Sequence, residues 1–269
     1  MGLREMSNLQ QRVIAALVAV PCLLFCVLYS DYTFLALFLF IGIMAQLEFY
    51  KLVGSFGGNL PLTFYGTFCG VVLHLLTFFI EKGVIAYQNY YILSPLLTLI
   101  FFIKLYKAKD EKPFKNIAYT FLGIIYVALP FALLTVLAFI KDEQYDPNIV
   151  LGCLFLLWAS DSGAYFAGTY FGKTKLFERV SPKKSWEGSI GGLVAAMGVA
   201  FMIAQYYTNY APWQWFSIGF IIVVAGTYGD LVESLFKRSM NIKDSADTIP
   251  GHGGFLDRFD GLLAYGRLS

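Results

Sequence analysis

Long apolar runs separated by short polar segments dominate the hydrophobic pattern of the chain. An α-helix needs roughly 20 mostly apolar residues to cross a bilayer. Eight runs qualify, at approximately residues 13–30, 32–50, 61–80, 84–103, 117–139, 149–171, 188–207 and 214–236. The first run lacks a small-residue cleavage pattern at its end, so we interpret it as a retained helix. The pattern therefore predicts an all-α, polytopic integral membrane protein with eight full transmembrane helices.

The basic residues fall on one side of this predicted topology. When the N-terminus is placed inside and the spans alternate, all of the 20 lysines and arginines except Lys82 and Lys141 lie in the N-terminus or in inside loops. The positive-inside rule then places the N-terminus in the cytoplasm. The lysine-rich inside loop at 104–116 is explained by topology alone or by attraction to anionic lipid, and the sequence does not separate these two explanations.

The composition agrees with a membrane protein. The 269 residues are 58% hydrophobic and only 14% charged, whereas a soluble domain carries about 25% charged residues. Too few polar residues remain to cover a water-soluble surface, which excludes an ordinary cytosolic enzyme, a disordered protein and a nucleic-acid binder. The predicted organisation is an N-terminal region of five spans at 1–148, followed at 149–269 by a transmembrane region whose cytoplasmic loops carry the chemistry.

Charged residues within the last spans are the first candidates for function, because charges inside a membrane are costly. Asp161 lies in the sixth span. The eighth span carries Asp230, Glu233, Ser234 and Lys237 at spacings that place all four on one helical face. A buried Asp230–Lys237 pair would explain two of these charges. Asp161, Asp230 and Glu233 are more acids than such pairing needs, so we expect them to line a polar cavity that carries a cation or a substrate.

The loop after the sixth span, GKTKLFERVSPKKSWEGSIGG, contains two adjacent lysines. Ser181-Pro182 is a helix-start signal, because proline favours the first helical position. Lys183, Lys184 and Ser185 would then lie near a helix N-terminus, where free N–H groups and two ammonium groups make an anion site. The alternative is a basic cluster beside a capped helix.

The tail KDSADTIPGHGGFLDRFDG combines glycines, carboxylates and basic residues. The glycines around His252 allow the backbone to approach a ligand closely. Asp257 and Asp260 would share a face if residues 255–261 are helical. Paired carboxylates with lysines suit Mg²⁺ that holds phosphates, and they do not suit zinc. His252 is a candidate general base, a phosphate contact or a structural residue.

The string from Ser234 to Asp260, SLFKRSMNIKDSADTIPGHGGFLDRFD, resembles the signature of the phosphatidate cytidylyltransferases, also called CDP-diacylglycerol synthases. The DSGAY element at Asp161 and the SPKKSWEG element at Ser181 also resemble that family. The resemblance implies the reaction CTP + phosphatidate → CDP-diacylglycerol + pyrophosphate, for phospholipid biosynthesis at the cytoplasmic face of a bacterial inner membrane. It further implies Mg²⁺, a second, monovalent cation such as K⁺, and a homodimer.

The same resemblance implies roles for individual residues. It places metal-holding carboxylates at Asp230 and Asp257, with Asp260 as a third acid, and it makes Asp230, Asp257, Lys237 and Lys243 the catalytic set. The implied substrate-binding positions are Asp161, Lys183, Lys184, Ser185, Glu187, Ser234, Arg238, His252, Gly253, Gly254 and Arg258. Family members usually continue into a last hydrophobic helix. The segment 261–269 is too short to span, so we expect a truncated ninth helix.

Two other functions remain in view. A CTP-dependent polyprenol or lipid kinase would release CDP and would need a base that deprotonates an alcohol, and the complete signature at 234–260 argues against it. An ion-coupled transporter would use the intramembrane acids as an ion path. The polar residues crowd on the cytoplasmic side, however, and no pair of broken helices recurs in two halves.

Overall fold

A computed structural model describes residues 8–141 and 144–239, with side chains from Leu17 onward. The helices are α1 (Asn8–Tyr29), α2 (Asp31–Ser55), α3 (Thr63–Glu81), α4 (Leu93–Leu105), α5 (Pro113–Gly123), α6 (Leu129–Ala138), α7 (Pro147–Phe171), α8 (Trp186–Tyr206) and α9 (Pro212–Ser239). A 3₁₀-helix at Tyr87–Ile92 precedes α4, and a π-helical turn at Ile124–Ala128 joins α5 to α6. Two short strands, β1 (Lys175–Phe177) and β2 (Ser181–Ser185), form a hairpin between α7 and α8.

Six helical segments in the described part of the chain are long and apolar enough to cross a membrane. They are α2, α3, the continuous stretch Pro113–Ala138, α7, α8 and α9. The predicted all-α fold, dominated by helices long and apolar enough to span a membrane, is therefore confirmed. The predicted total of eight spans stays a prediction, and the truncated ninth helix at 261–269 lies outside the described residues.

Prolines explain where two of the predicted spans depart from regular helix. The fourth predicted span, 84–103, is wrong as one α-helix, because residues 87–92 are 3₁₀-helical and α4 begins only at Leu93. Proline is tolerated in the first helical turn, where its missing N–H needs no partner, and Pro95 lies there. Pro130 follows the π-helical turn, in which the Leu129 N–H bonds to the Ile124 carbonyl. Pro130 has no N–H to donate, and the wider π-helical turn before it accommodates this missing hydrogen bond.

The described residues form two compact units that divide between Tyr145 and Asp146. The first unit contains α1 to α6, and buried aromatic rings fill its core, namely Phe34, Phe38, Phe49, Phe78 and Phe131. The Tyr50 hydroxyl donates to the Thr120 carbonyl at 2.7 Å. A Cβ at Gly123 would lie 2.5 Å from that hydroxyl oxygen, so only glycine lets α5 approach Tyr50 this closely.

A buried ion pair organises the lysine-rich loop of the first unit. The Lys104 ammonium donates to Asp110 and to the Leu60 carbonyl, both at 2.5 Å. The two charged side chains are 0% and 4% exposed. Asn116 donates to Asp110 at 2.6 Å and accepts from the Leu60 N–H at 2.8 Å. Lys104 therefore belongs to the interior of the protein and does not contribute to a lipid-attracting surface.

These contacts lower the pKa of Asp110. Burial alone would raise the pKa of this carboxyl, but hydrogen bonds from Lys104, the Lys112 N–H and Asn116, together with the positive charge of Lys104, outweigh that effect. The ionised form of Asp110 is therefore the one that holds the loop together.

The second unit consists of α7, the hairpin, α8 and α9. Its core includes the fully buried Trp215, whose ring packs against Gly152, where a Cβ would lie 2.5 Å from the Cη2 atom of the ring. Asp146 caps the start of α7 by accepting from the Asn148 N–H at 2.9 Å. The hairpin, the C-terminal end of α7 and the N-terminal end of α8 meet at the opposite end of the unit, and the candidate site lies there.

Candidate functional site

A polar cavity of about 330 Å³ opens in the second unit between α7, α8, α9 and β2. Four charged residues line it: Asp161 on α7, Lys183 and Lys184 on β2, and Asp230 on α9. The structure thus brings together residues from three separate sequence motifs. Of the three acids from which the sequence predicted a polar cavity, Asp161 and Asp230 line this one, and Glu233 is not among its lining residues.

Small residues allow α7 and α8 to pack closely beside this cavity. A Cβ at Gly163 would lie 2.5 Å from the Ala195 Cβ and 2.7 Å from the Gly191 carbonyl oxygen. A Cβ at Gly192 would lie 2.8 Å from the Ser160 carbonyl oxygen. Small side chains at such positions let membrane helices approach each other. The close contact fixes the wall that carries Asp161.

The hairpin presents the two lysines on a strand. The prediction that a helix begins at Ser181-Pro182 is wrong, because these residues belong to β2 and α8 begins at Trp186. Ser185 is the N-cap, and its hydroxyl accepts from the Gly188 N–H at 3.2 Å. Lys183 and Lys184 therefore precede the helix and project from the extended strand that leads into it.

Glu187 anchors the hairpin to the start of α8. Its carboxylate accepts the Thr174 N–H at 3.0 and 3.2 Å, and the Trp186 N–H donates to the Thr174 carbonyl at 3.0 Å. The structure therefore places Glu187 where it holds the backbone beside the cavity.

An ion pair links two walls of the cavity. The Lys184 ammonium lies 2.5 Å from a carboxylate oxygen of Asp230, with the two side chains 28% and 32% exposed. Asp161 lies within electrostatic range of both groups. Lys184 and Asp230 thus neutralise each other, while Asp161 adds a second carboxylate to the same cavity.

The charged residues on the polar face of α9 form two separate ion pairs. Lys237 pairs with Glu233 at 2.8 Å, and the Glu233 side chain is only 1% exposed. The pair considered from the sequence, Asp230 with Lys237, is therefore wrong, since Asp230 turns to Lys184. Ser234 is half-buried and Arg238 is exposed on the last turns of α9, and neither is part of the described cavity wall.

The donor set of the cavity fits Mg²⁺ in part. No group of three or more His, Cys, Asp or Glu side chains within residues 8–141 and 144–239 is placed to hold a metal ion. Mg²⁺ is commonly bound by one or two carboxylates together with substrate phosphates and water, however. Asp161 and Asp230 supply two such carboxylates in one cavity.

The remaining predicted site residues lie outside the described part of the chain. They are Lys243, His252, Gly253, Gly254, Asp257, Arg258 and Asp260. Their roles stay predictions.

Sequence reasoning missed several residues of the cavity wall. Ser160, Ser189 and Thr227 contribute hydroxyl groups, and Gly226 leaves open space. Ser189 had a local signal, because it lies one helical turn after Ser185 on the same face. Thr227 and Gly226 lie within an apolar run, and only their packing reveals them.

Comparisons with known proteins give matches along most of the chain. The sequence profile of the cytidylyltransferase family matches residues 10–268. A protein of Haemophilus influenzae named phosphatidate cytidylyltransferase is 35% identical over 276 aligned positions, which cover 95% of each chain. The protein of that name from Bacillus subtilis is 30% identical over 263 positions, covering 96% of this chain and 95% of the relative. Its counterpart in Staphylococcus saprophyticus is 34% identical over 174 positions, covering 64% and 65%.

Proposed function

The chain belongs to the cytidylyltransferase family, and from that membership we propose that it transfers the cytidylyl group of CTP to phosphatidate. The products are CDP-diacylglycerol, which phospholipid biosynthesis uses, and pyrophosphate. The chain is thus a nucleotidyltransferase, a phosphatidate cytidylyltransferase in activity. The observation that carries the proposal is the polar cavity, in which adjacent lysines and two carboxylates meet at the end of three membrane-spanning helices.

The lysines of β2 suit the first requirement of this reaction, which is to bring two anions together. A phosphate oxygen of phosphatidate forms a bond to the α-phosphorus of CTP, and the bond from that phosphorus to the bridging oxygen of the β-phosphate breaks. The leaving group is pyrophosphate. Lys183 and Lys184 line the cavity, where their ammonium groups can bind phosphate oxygens and stabilise the leaving group.

The cavity needs no strong general base. A phosphate monoester has a second pKa of about 6 and is therefore largely ionised at neutral pH. Positioning and charge stabilisation supply most of the acceleration in phosphoryl transfers of this kind. The hydroxyl groups of Ser160, Ser181 and Ser189 on the cavity wall are hydrogen-bonding groups that can orient the substrates.

Mg²⁺ is part of the proposal. Asp230 would hold it with Asp161 beside it in the cavity, and Asp257 and Asp260 are the further carboxylates that the family resemblance implies. When bound, the ion neutralises phosphate charge and orients the reacting oxygens. Lys184 would then release Asp230 and become free to bind phosphate. A second, monovalent cation such as K⁺ and a homodimer stay predictions of the resemblance.

We extend the proposal to eight membrane spans with a cytoplasmic N-terminus. The 13 residues of α4 extend about 20 Å, and the six residues of the preceding 3₁₀-helix add about 12 Å. Together they match the hydrocarbon core of roughly 30 Å. The 22 residues of α1 are also long enough. This topology places the polar cavity at the cytoplasmic face of a bacterial inner membrane.

Transfer of label from CTP to lipid tests the proposal. Purified protein in detergent micelles receives phosphatidate, Mg²⁺ and CTP labelled with ³²P at the α- or the γ-phosphate. We expect label from the α-position alone in the lipid phase, and its loss in Asp230→Asn. Asp146→Asn is the matched control, because Asp146 caps α7 at the other end of the unit and asparagine also caps helices.

Two outcomes would overturn the proposed activity, and a third would change its mechanism. Label in lipid from the γ-position would identify a lipid kinase. An active Asp230→Asn variant would remove Asp230 from the mechanism. No label in lipid from folded wild-type protein would refute the transferase activity itself.

A further inference from the structure

A second, apolar groove of about 440 Å³ runs along α8 and α9 below the hairpin. Ile190 and Leu193 of α8 form one side of the groove, and Phe220 and Val224 of α9 form the other. Ile190 and Phe220 are more than half exposed. The groove is therefore open along its length and is lined by hydrocarbon.

The groove adjoins the polar cavity. Ser189 of α8 and Thr227 of α9 line both spaces and therefore mark the boundary between them. A ligand that fills both must have an anionic end, held near Lys183 and Lys184, and an apolar end, held below Ser189 and Thr227. An amphiphile with a phosphate headgroup has this construction.

The length of the groove matches one leaflet of a membrane. Its wall on α9 extends from Phe220 to Leu231, which corresponds to about 16 Å along a helix at 1.5 Å per residue. Half of the roughly 30 Å hydrocarbon core is about 15 Å. The groove therefore extends through the acyl layer that adjoins the polar cavity.

We propose that this groove binds one acyl chain of phosphatidate while the phosphate of the same molecule occupies the polar cavity. This inference rests on the proposed function, because it takes phosphatidate as the substrate. It makes the groove residues determinants of acyl-chain specificity. A chain long enough to fill the groove makes packing contacts with its walls that a shorter chain cannot make, so the groove would discriminate between chain lengths.

Filling the groove should change chain-length preference. Val224→Trp places a large ring between α8 and α9. Val194→Trp is the matched control, since Val194 is an exposed valine of α8 outside the groove wall. Both variants would be assayed by label transfer from α-³²P-CTP with dioctanoyl and with dioleoyl phosphatidate in mixed micelles.

We expect the ratio of kcat/KM for the long chain to that for the short chain to fall at least about tenfold in Val224→Trp, a change equivalent to about 1.4 kcal/mol. The ratio should not change in Val194→Trp, and the KM for CTP should not change in either variant. If both variants keep the wild-type ratio, the groove does not bind the chain. If the wild type transfers no label, the proposed function fails first.

A photo-crosslinking measurement on the wild-type protein removes the dependence on one variant. Phosphatidate with a diazirine in its acyl chain would be irradiated with the protein, and the labelled residues identified by mass spectrometry. Labels at Leu193, Phe220 or Val224 support the proposal. Labels confined to Val194 or to residues 240–269 overturn it, because the chain would then lie in bulk lipid or against another segment.

Discussion

Filling the polar cavity from Gly226 should inhibit cytidylyl transfer without unfolding the protein. Gly226 lies on α9 and lines the cavity, and a Cβ built there meets no atom within 4 Å. A leucine at this position would therefore extend into the space in which we place the substrate phosphates. The native packing would not have to move to admit the new side chain.

The expected effects on stability and activity have opposite signs. A glycine in a helix costs about 1 kcal/mol relative to a good helix former, so Gly226→Leu should leave the free energy of unfolding unchanged or raise it. Overfilling a packed space costs about 1–3 kcal/mol, which corresponds to a loss of roughly 5- to 150-fold in kcat/KM. Activity should fall while the melting temperature does not.

Gly198 provides the control for this experiment. It is an exposed glycine of α8 at which a Cβ also meets no atom within 4 Å, and it is part of neither cavity wall. Thermal melting in detergent and label transfer from α-³²P-CTP would be measured for both leucine variants. Wild-type kcat/KM in folded Gly226→Leu would refute the placement of substrate in this cavity. An equal loss in Gly198→Leu would show that added bulk acts through the bilayer or through folding.

Three further predictions follow from the ion pairs and the signature. Lys184→Met should lower kcat/KM by roughly 10²- to 10³-fold while folding is retained, because a part-exposed ion pair contributes only about 0–1 kcal/mol; an equal loss in the exposed hairpin variant Lys175→Met would contradict this. Asp257→Asn should abolish label transfer with little loss of folded protein by size-exclusion chromatography, and retained turnover would exclude this carboxylate from the metal site. Because the folded-state pKa of Asp110 lies below its ordinary value of 3.8, its stabilisation is complete above that pH and is lost as the pH falls through the folded-state pKa. Melting temperature measured down to pH 3 should therefore decrease more in the wild type than in Asp110→Asn, and identical profiles would contradict it.

The helical framework could be predicted because it depends on local properties of the sequence. Apolar runs of sufficient length specify spans, and caps such as Asp146 before Pro147 mark where a helix begins. The fourth span shows the limit of hydropathy. Residues 84–92 are apolar enough to belong to a span. Pro95 is tolerated only in the first turn of a helix, however, so α4 begins close to it and the residues at 87–92 form a 3₁₀-helix instead.

The site could be predicted as a set of residues and not as a set of contacts. Ser181-Pro182 has the local features of a helix start, yet pairing with residues 175–177 makes it a strand. Such pairing depends on tertiary structure that no local pattern contains. Likewise, the partner of Asp230 is 46 residues away, whereas the partner of Lys237 is the local Glu233, four residues before it. The i, i+4 spacing is a local signal for the second pair, although the pair considered from the sequence was Asp230 with Lys237.

The charge balance of the cavity indicates why the reaction would need a metal ion as well as lysines. Among the described wall residues, Lys183 and Lys184 are balanced by Asp161 and Asp230, so the wall itself has no net positive charge. CTP and phosphatidate both bring negative charge, and two anions at close range repel strongly where the dielectric constant is low. Additional positive charge must enter with the substrates. A divalent cation held by the carboxylates would supply it and would also free Lys184 from Asp230, so that the acids would be neutralised and an ammonium group would become available for phosphate. The carboxylates and the lysines would therefore act together, and removal of either the carboxylates or the lysines should abolish the function of both.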